Sequence, residues 1–136
     1  MSRYLLDASA LYPLLATLKS KAAEHIEDFA ILDLTPYEVG NALWKEHKKG
    51  RVKNLEKLSR IFKEILDNMK TINTKEHWNN ILRLAARENL TFYDAAYLHT
   101  ARAKGLTLVT QDKDLLKYSD TTSPNNLIKN LKNRKT

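Results

Sequence analysis

The sequence predicts an α/β domain with a mainly parallel central sheet, more helix than strand, and a helical hairpin in mid-chain. Three observations predict it. Short apolar runs at residues 3–7, 29–34 and 106–109 read as buried strands, and each is followed by a helix-start signal. The segments between them carry apolar residues at helical spacing, and strands separated by helices argue for parallel pairing. Two long periodic segments, residues 54–69 and 74–88, are joined by a short link, which suggests a hairpin packed on or beside the sheet.

Arg3-Tyr-Leu-Leu-Asp7 is the first strand and ends at an acid. A helix can begin at Ala8 with Asp7 as its N-cap, and Pro13 limits its regularity. Residues 17–27 form a weaker amphipathic segment with Ala22, Ala23 and Ile26 on one side. Phe29-Ala-Ile-Leu-Asp-Leu34 is the second strand, where Asp33 faces solvent or ends the buried part. Thr35-Pro-Tyr-Glu38 combines a capping threonine, proline at the first helical position and an acid three residues after the cap. That helix runs through Trp44 toward Lys49 and stops at Gly50.

The mid-chain helices set Leu58, Phe62 and Ile65, then Trp78, Ile81 and Ala85, at helical spacing. Thr91-Phe-Tyr-Asp94 again pairs a cap with an acid and opens a helix ending at Gly105. Arg102 and Lys104 in its last turn complement the helix dipole. After the strand at 106–109, Thr110, Gln111 and Asp112 interrupt the apolar run before residues 113–116 begin a helical turn. Residues 118–124 are a polar link able to hold a poor edge strand, residues 127–131 a short terminal helix, and residues 130–136 a frayed basic tail.

One domain over 1–136 accommodates all of this. Hydrophobic content of 43% and charged content of 29% are those of a soluble globular protein. The absence of cysteine excludes a disulfide scaffold and a cysteine-based zinc site. No apolar run has the length of a signal peptide or a membrane span, so a soluble cytoplasmic chain is expected. A net charge of +7 suits a polyanionic partner, and lysine-rich solvated helices would give the same number.

Four acids stand out: Asp7, Glu38, Asp94 and Asp112. Singly, Asp7 and Asp112 can be N-caps, and Glu38 and Asp94 the acid partners of capping boxes begun by Thr35 and Thr91. As a set they point elsewhere. Helices that follow parallel strands begin at one sheet edge, where open α/β sheets bind ligands. Carboxylates gathered there cannot all ionise cheaply, and a cation removes the conflict. Oxygen ligands alone favour Mg²⁺ or Mn²⁺, as one ion or two. On a basic chain such a site suits phosphodiester hydrolysis by a metal-activated water. Ser9 and Thr110 are hydroxyls placed to orient a ligand or water, or else ordinary cap hydroxyls.

Asp7-Ala-Ser9 after an N-terminal strand, Glu38 at a helix start, Tyr93-Asp-Ala95, and Thr110-x-Asp112-x-x-Leu115 together resemble the PIN-domain ribonucleases. The nearest type is the small VapC toxin of prokaryotic toxin–antitoxin pairs. The resemblance implies a three-layer α/β/α fold and a Mg²⁺- or Mn²⁺-dependent endoribonuclease. By position it implies a metal site of Asp7, Glu38, Asp94 and Asp112, with Ser9 and Thr110 beside it and Asp114 as a lesser candidate. It also implies a homodimer, an RNA substrate, and a cognate antitoxin that inserts near the acids. Asp33 inside the second strand and the polar 118–124 stretch depart from the pattern.

His25, His47, His77 and His99 lack an i, i+4 metal pair and read as surface or interface residues. Lys45, Lys48, Lys49, Arg51, Lys53 and Lys57 form a solvated helix end or a groove for RNA phosphates. Trp44, Trp78 and the tyrosines fit core packing or a dimer face, with Trp44 and Tyr12 open to other roles. Competing functions are a catalytically idle RNA- or protein-binding module of the same fold and a housekeeping RNA-processing nuclease. A receiver domain needs a second acid near the first strand, and a haloacid-dehalogenase-type phosphatase needs an acid where Ser9 stands.

Overall fold

The computed structural model describes residues 2–133. Five strands form one sheet, all pairs parallel, in the order β3-β2-β1-β4-β5. They are β1 (Tyr4–Leu6), β2 (Phe29–Leu32), β3 (Lys70–Ile72), β4 (Thr107–Val109) and β5 (Thr121–Thr122). The helices are α1 (Ala8–Leu18), α2 (Thr35–Lys48), α3 (Leu55–Asn68), α4 (Trp78–Glu88), α5 (Phe92–Lys104), α6 (Lys113–Leu116) and α7 (Pro124–Asn133). Two 3-10 stretches, Lys19–Asp28 and Thr74–His77, follow α1 and β3.

Side chains alternate across the strands and divide the core into two layers. Leu6, Phe29, Ile31 and Val109 pack under α1, α2, α3 and α7. Leu5, Ala30, Leu32 and Leu108 pack under α4, α5 and α6. The three-layer α/β/α expectation therefore holds, and the sheet is wholly parallel.

The mid-chain hairpin does not form. The link between α3 and α4 is itself a strand, β3, paired with β2 through Lys70, Thr71 and Ile72. From β1 to β3 the chain moves one way across the sheet, and from β3 to β4 it moves back. Right-handed crossovers put helices on opposite faces when that direction reverses. Phe62 of α3 accordingly lies in one core layer and Ile81 of α4 in the other. The partner of α4 is α5.

Asp33 lies just past β2, exposed, and its Oδ1 accepts the Thr74 amide (3.1 Å) and the Thr74 hydroxyl. The acid out of place in the strand pattern thus anchors the turn after β3. The edge strand β5 forms as two residues. The terminal helix is longer than expected: α7 reaches Asn133 with Leu131 2% exposed, so residues 130–133 are not a frayed tail. Residues 134–136 lie outside the described residues. No described helix is long and apolar enough to cross a membrane.

Candidate functional site

β1 and β4 are neighbours, and the crossovers that follow β1 and precede β4 lie on opposite faces of the sheet. The carboxyl ends of such a strand pair open onto the crevice where doubly wound sheets bind ligands. Asp7 follows β1 there, only 7% exposed, its amide held by the Val109 carbonyl at 3.2 Å. Its carboxylate caps α1, accepting the Ala10 amide (3.1 Å) and the Ser9 hydroxyl (2.6 Å). Asp112 follows β4 and caps α6, accepting the Asp114 amide at 2.9 Å.

Hydroxyls join these two loops. Ser9 Oγ accepts the Gln111 amide at 2.9 Å and lies 3.5 Å from Thr110 Oγ1. Thr110, fully buried, accepts the Asp112 amide at 3.0 Å and also hydrogen-bonds Asp7. Both hydroxyls expected beside the acids are there. Asp114 is exposed, and its carboxylate is not among the charges acting on the other acids.

Glu38 arrives on the first turn of α2, and Asp94 on the first turn of α5, where Thr91 caps the helix by accepting the Asp94 amide at 3.1 Å. Asp94 is thus a genuine cap-and-acid pair. Glu38 is not, because Thr35 is already helical and caps nothing.

Electrostatics gathers the four acids. Burial pushes Asp7 up from the ordinary carboxylate range and the charge of Asp112 adds to it, against hydrogen bonds from Ser9, Thr110 and Ala10. Burial raises Glu38 too; the Tyr97 hydrogen bond opposes this, while Asp7 and Asp94 add to it. Asp94 is raised by burial, then by Asp112 and Asp7. These charges link Asp7 to Asp112, Glu38 to Asp7 and Asp94, and Asp94 to Asp112 and Asp7.

Among the described residues, no three acidic or histidine side chains are grouped at the spacing of a metal-ligand set. The carboxylates stand within electrostatic reach of one another, not at coordinating distance. As a donor set they are all hard oxygens, which fits Mg²⁺ or Mn²⁺ and not a soft metal.

Residues 4–120 match the PIN domain family. The chain belongs to that family. Over 113 residues it is 49% identical to exonuclease VapC9 of Pyrobaculum aerophilum, with 83% of each covered. It is 28% identical over 121 residues to ribonuclease VapC3 of the same organism, covering 83% of this chain and 92% of that one. The crystal structure of PAE2754 from Pyrobaculum aerophilum superimposes with a TM-score of 0.85 at 44% identity, over 96% of this chain and 89% of that one. A toxin–antitoxin complex from Klebsiella pneumoniae shares the fold, with a TM-score of 0.62 at 24% identity over 89% and 97%. The resemblance to the PIN domains of VapC type is thereby established.

In this PIN domain two site neighbours escape sequence reading. Tyr97 donates to Glu38 Oε1 at 2.6 Å, and Thr35 Oγ1 lies 2.7 Å from the Tyr97 hydroxyl. Tyr97 follows Asp94 by three residues, so helical spacing already put it on the same face. Thr35 was masked by its resemblance to a cap. Burial and the Glu38 charge push the Tyr97 phenol well above its ordinary value, so it stays a donor.

The histidines are not all scattered. The rings of His77 and His99 lie 5.2 Å apart, and burial pushes His99 down, helped by His77 and Arg102. Neither ring bears on the acids. Trp44 and Trp78 are not core residues; they are 52% and 51% exposed, and Lys48 Nζ lies 4.8 Å over the Trp44 ring.

Proposed function

We propose that this PIN domain is a Mg²⁺- or Mn²⁺-dependent endoribonuclease and the toxin of a toxin–antitoxin pair. The observation that carries the reading is the mutual electrostatic reach of Asp7, Glu38, Asp94 and Asp112 at the carboxyl edge of the sheet. Two VapC relatives named as nucleases support it.

Asp7, Glu38, Asp94 and Asp112 would hold one or two ions. A bound ion would supply Lewis-acid polarisation of a phosphate oxygen and would lower the pKa of a water so that its deprotonated form can attack the phosphorus. The chain supplies the rest. Ser9 and Thr110 fix the Asp7 carboxylate and the Asp112 loop in mutual register. Asp114 is at most an accessory.

A cavity of about 340 Å³ begins at Ser9 and Gln111 and runs along α2 past Tyr12 to Lys45 and Lys49. Glu46 also lines it, but its carboxylate is engaged by Arg51 at 3.4 Å. Two ammonium groups and an aromatic ring along a groove that opens at Ser9, next to Asp7 in sequence, suit an RNA strand leaving the scissile phosphate. Lys45→Ala with Lys49→Ala is expected to weaken RNA binding and make it less salt-dependent by about two counterions.

Exposed Trp78, Leu82 and Tyr93 on the paired helices α4 and α5 support the homodimer. The cognate antitoxin rests on the VapC relatives, and a cytoplasmic site of action is where such a pair meets RNA.

The deciding experiment is cleavage of cellular RNA with Mn²⁺, with Mg²⁺ and with EDTA, beside Asp94→Asn. Metal-dependent cutting absent from the variant supports the nuclease; cutting unaffected by EDTA or by the substitution removes it. A second reading comes from the relative named an exonuclease. A covalently closed circular RNA separates them, since an exonuclease leaves it intact. The idle binding module predicts RNA retention without cutting. The housekeeping nuclease predicts cutting that no small partner protein inhibits.

A further inference from the structure

One buried polar chain ends on the acid cluster from outside it. Thr35 is fully buried in the first turn of α2, and its Oγ1 accepts the amide of Leu32, the last residue of β2, at 3.0 Å. Its hydroxyl lies 2.7 Å from that of Tyr97, which is 2% exposed on α5. Tyr97 in turn lies 2.6 Å from Glu38 Oε1. Proton counting fixes the directions. An ionised carboxylate only accepts, so the single phenol proton goes to Glu38. Thr35 is left to donate to the phenol oxygen while accepting Leu32. The chain therefore runs from Thr35 through Tyr97 to Glu38, anchored on the β2 backbone.

Packing alone does not call for these hydroxyls. A buried phenol is costly unless paired, and phenylalanine fills nearly the same volume without that cost. What the hydroxyls add is a connection between elements. Tyr97 sits on the helix that carries Asp94, within one turn of it, and grips Glu38 on α2. Asp7 and Asp94 both repel Glu38, and a half-buried glutamate with free rotamers would relieve that repulsion by turning to water.

We propose that Tyr97, oriented by Thr35, is a positioning residue that holds Glu38 beside the other acids before a cation arrives, with Oε1 occupied and Oε2 left to the ion. This rests on the metal-dependent reading above. Outer partners that orient ligating carboxylates typically contribute about ten- to a hundredfold to metal affinity.

The test is direct Mn²⁺ binding, read as loss of the free-ion electron paramagnetic resonance signal, with no RNA present. Tyr97→Phe is expected to bind roughly ten- to a hundredfold more weakly than wild type. Thr35→Val should weaken binding in the same direction, and Thr35→Ser should restore it, because serine keeps the hydroxyl. At saturating Mn²⁺, Tyr97→Phe should recover kcat on RNA with KM for RNA unchanged, which a general loss of fold would not allow. Should Tyr97→Phe fail to fold, the two Thr35 variants carry the comparison. Equal Mn²⁺ affinity in wild type, Tyr97→Phe and Thr35→Val would overturn the positioning role while leaving the nuclease standing. A wild type that binds no Mn²⁺ overturns the metal site itself, and the positioning role with it.

Discussion

Asp7 and Asp112 are fastened by hydroxyls two residues away in sequence, Ser9 and Thr110, whereas Glu38 is fastened by a tyrosine 59 residues away. The first half of the cluster grows out of adjacent parallel strands, so backbone pairing between β1 and β4 sets its spacing. The second half stands on two helix starts from different crossovers, and only a side chain reaching between them can set theirs. A site assembled this way is rigid on one side and depends on one phenol on the other. On the proposal above, the position of Glu38 depends on that phenol.

The largest expected effect strikes both halves alike. Asp7→Asn or Asp94→Asn should lower RNA cleavage by more than about a hundredfold, on the scale of losing a group that stabilises developing charge. A variant keeping most wild-type activity would sink the assignment of the acids. The same substitutions should leave the protein as stable or more stable in metal-free buffer at neutral pH, measured by urea midpoint.

The sign follows from the raised carboxyls of Asp7, Glu38 and Asp94. Between the unfolded values, near about 4, and the raised folded values, the folded state binds more protons than the unfolded one. Stability therefore falls as pH rises through that window and stays reduced above it. Mn²⁺ at neutral pH should reverse the loss, and Asp94→Asn should flatten the pH dependence. Stability that rises across the window instead would contradict the mutual repulsion.

Ser9→Ala sharpens the contrast between the halves. It removes a donor to Asp7 and the acceptor of the Gln111 amide, and should cost about 1 kcal/mol of stability with roughly tenfold less cleavage. Combined with Tyr97→Phe, the metal-free stability losses should add within about 0.5 kcal/mol if the halves are built independently. A larger discrepancy would mean that one network spans the whole cluster.

Asp33→Ala should cost about 1 kcal/mol, the scale of a lost cap, and leave cleavage unchanged, because Asp33 serves only the Thr74 turn. Asp114→Asn is the smallest change: stability within about 0.5 kcal/mol and cleavage near wild type. Activity lost with either would redraw the boundary of the site.

Reading succeeded where the deciding contacts are local. Asp7 and Asp112 as caps, Thr91 capping Asp94 and Gly105 ending α5 all follow from spacing within one turn. The reading failed where a local signature had a non-local use. Thr35-Pro-Tyr-Glu38 has the composition of a capping box, yet Thr35 turns inward to Tyr97 and Leu32. Lys70-Thr-Ile72 resembles a link because it is short and half polar, and it becomes a strand only because β2 lies open beside it.

Alternating apolar runs and helix-start signals thus determined by themselves that this chain is α/β, and the order of its acids identified the type. The tertiary structure decided three things the spacing could not: that α3 and α4 part to opposite faces, that Asp33 serves a turn, and that Tyr97 holds Glu38. Caps and strands are set by the backbone within a few residues. These three depend on which strand edge is free and on which way the chain crosses the sheet, and those are settled only when the whole chain packs together.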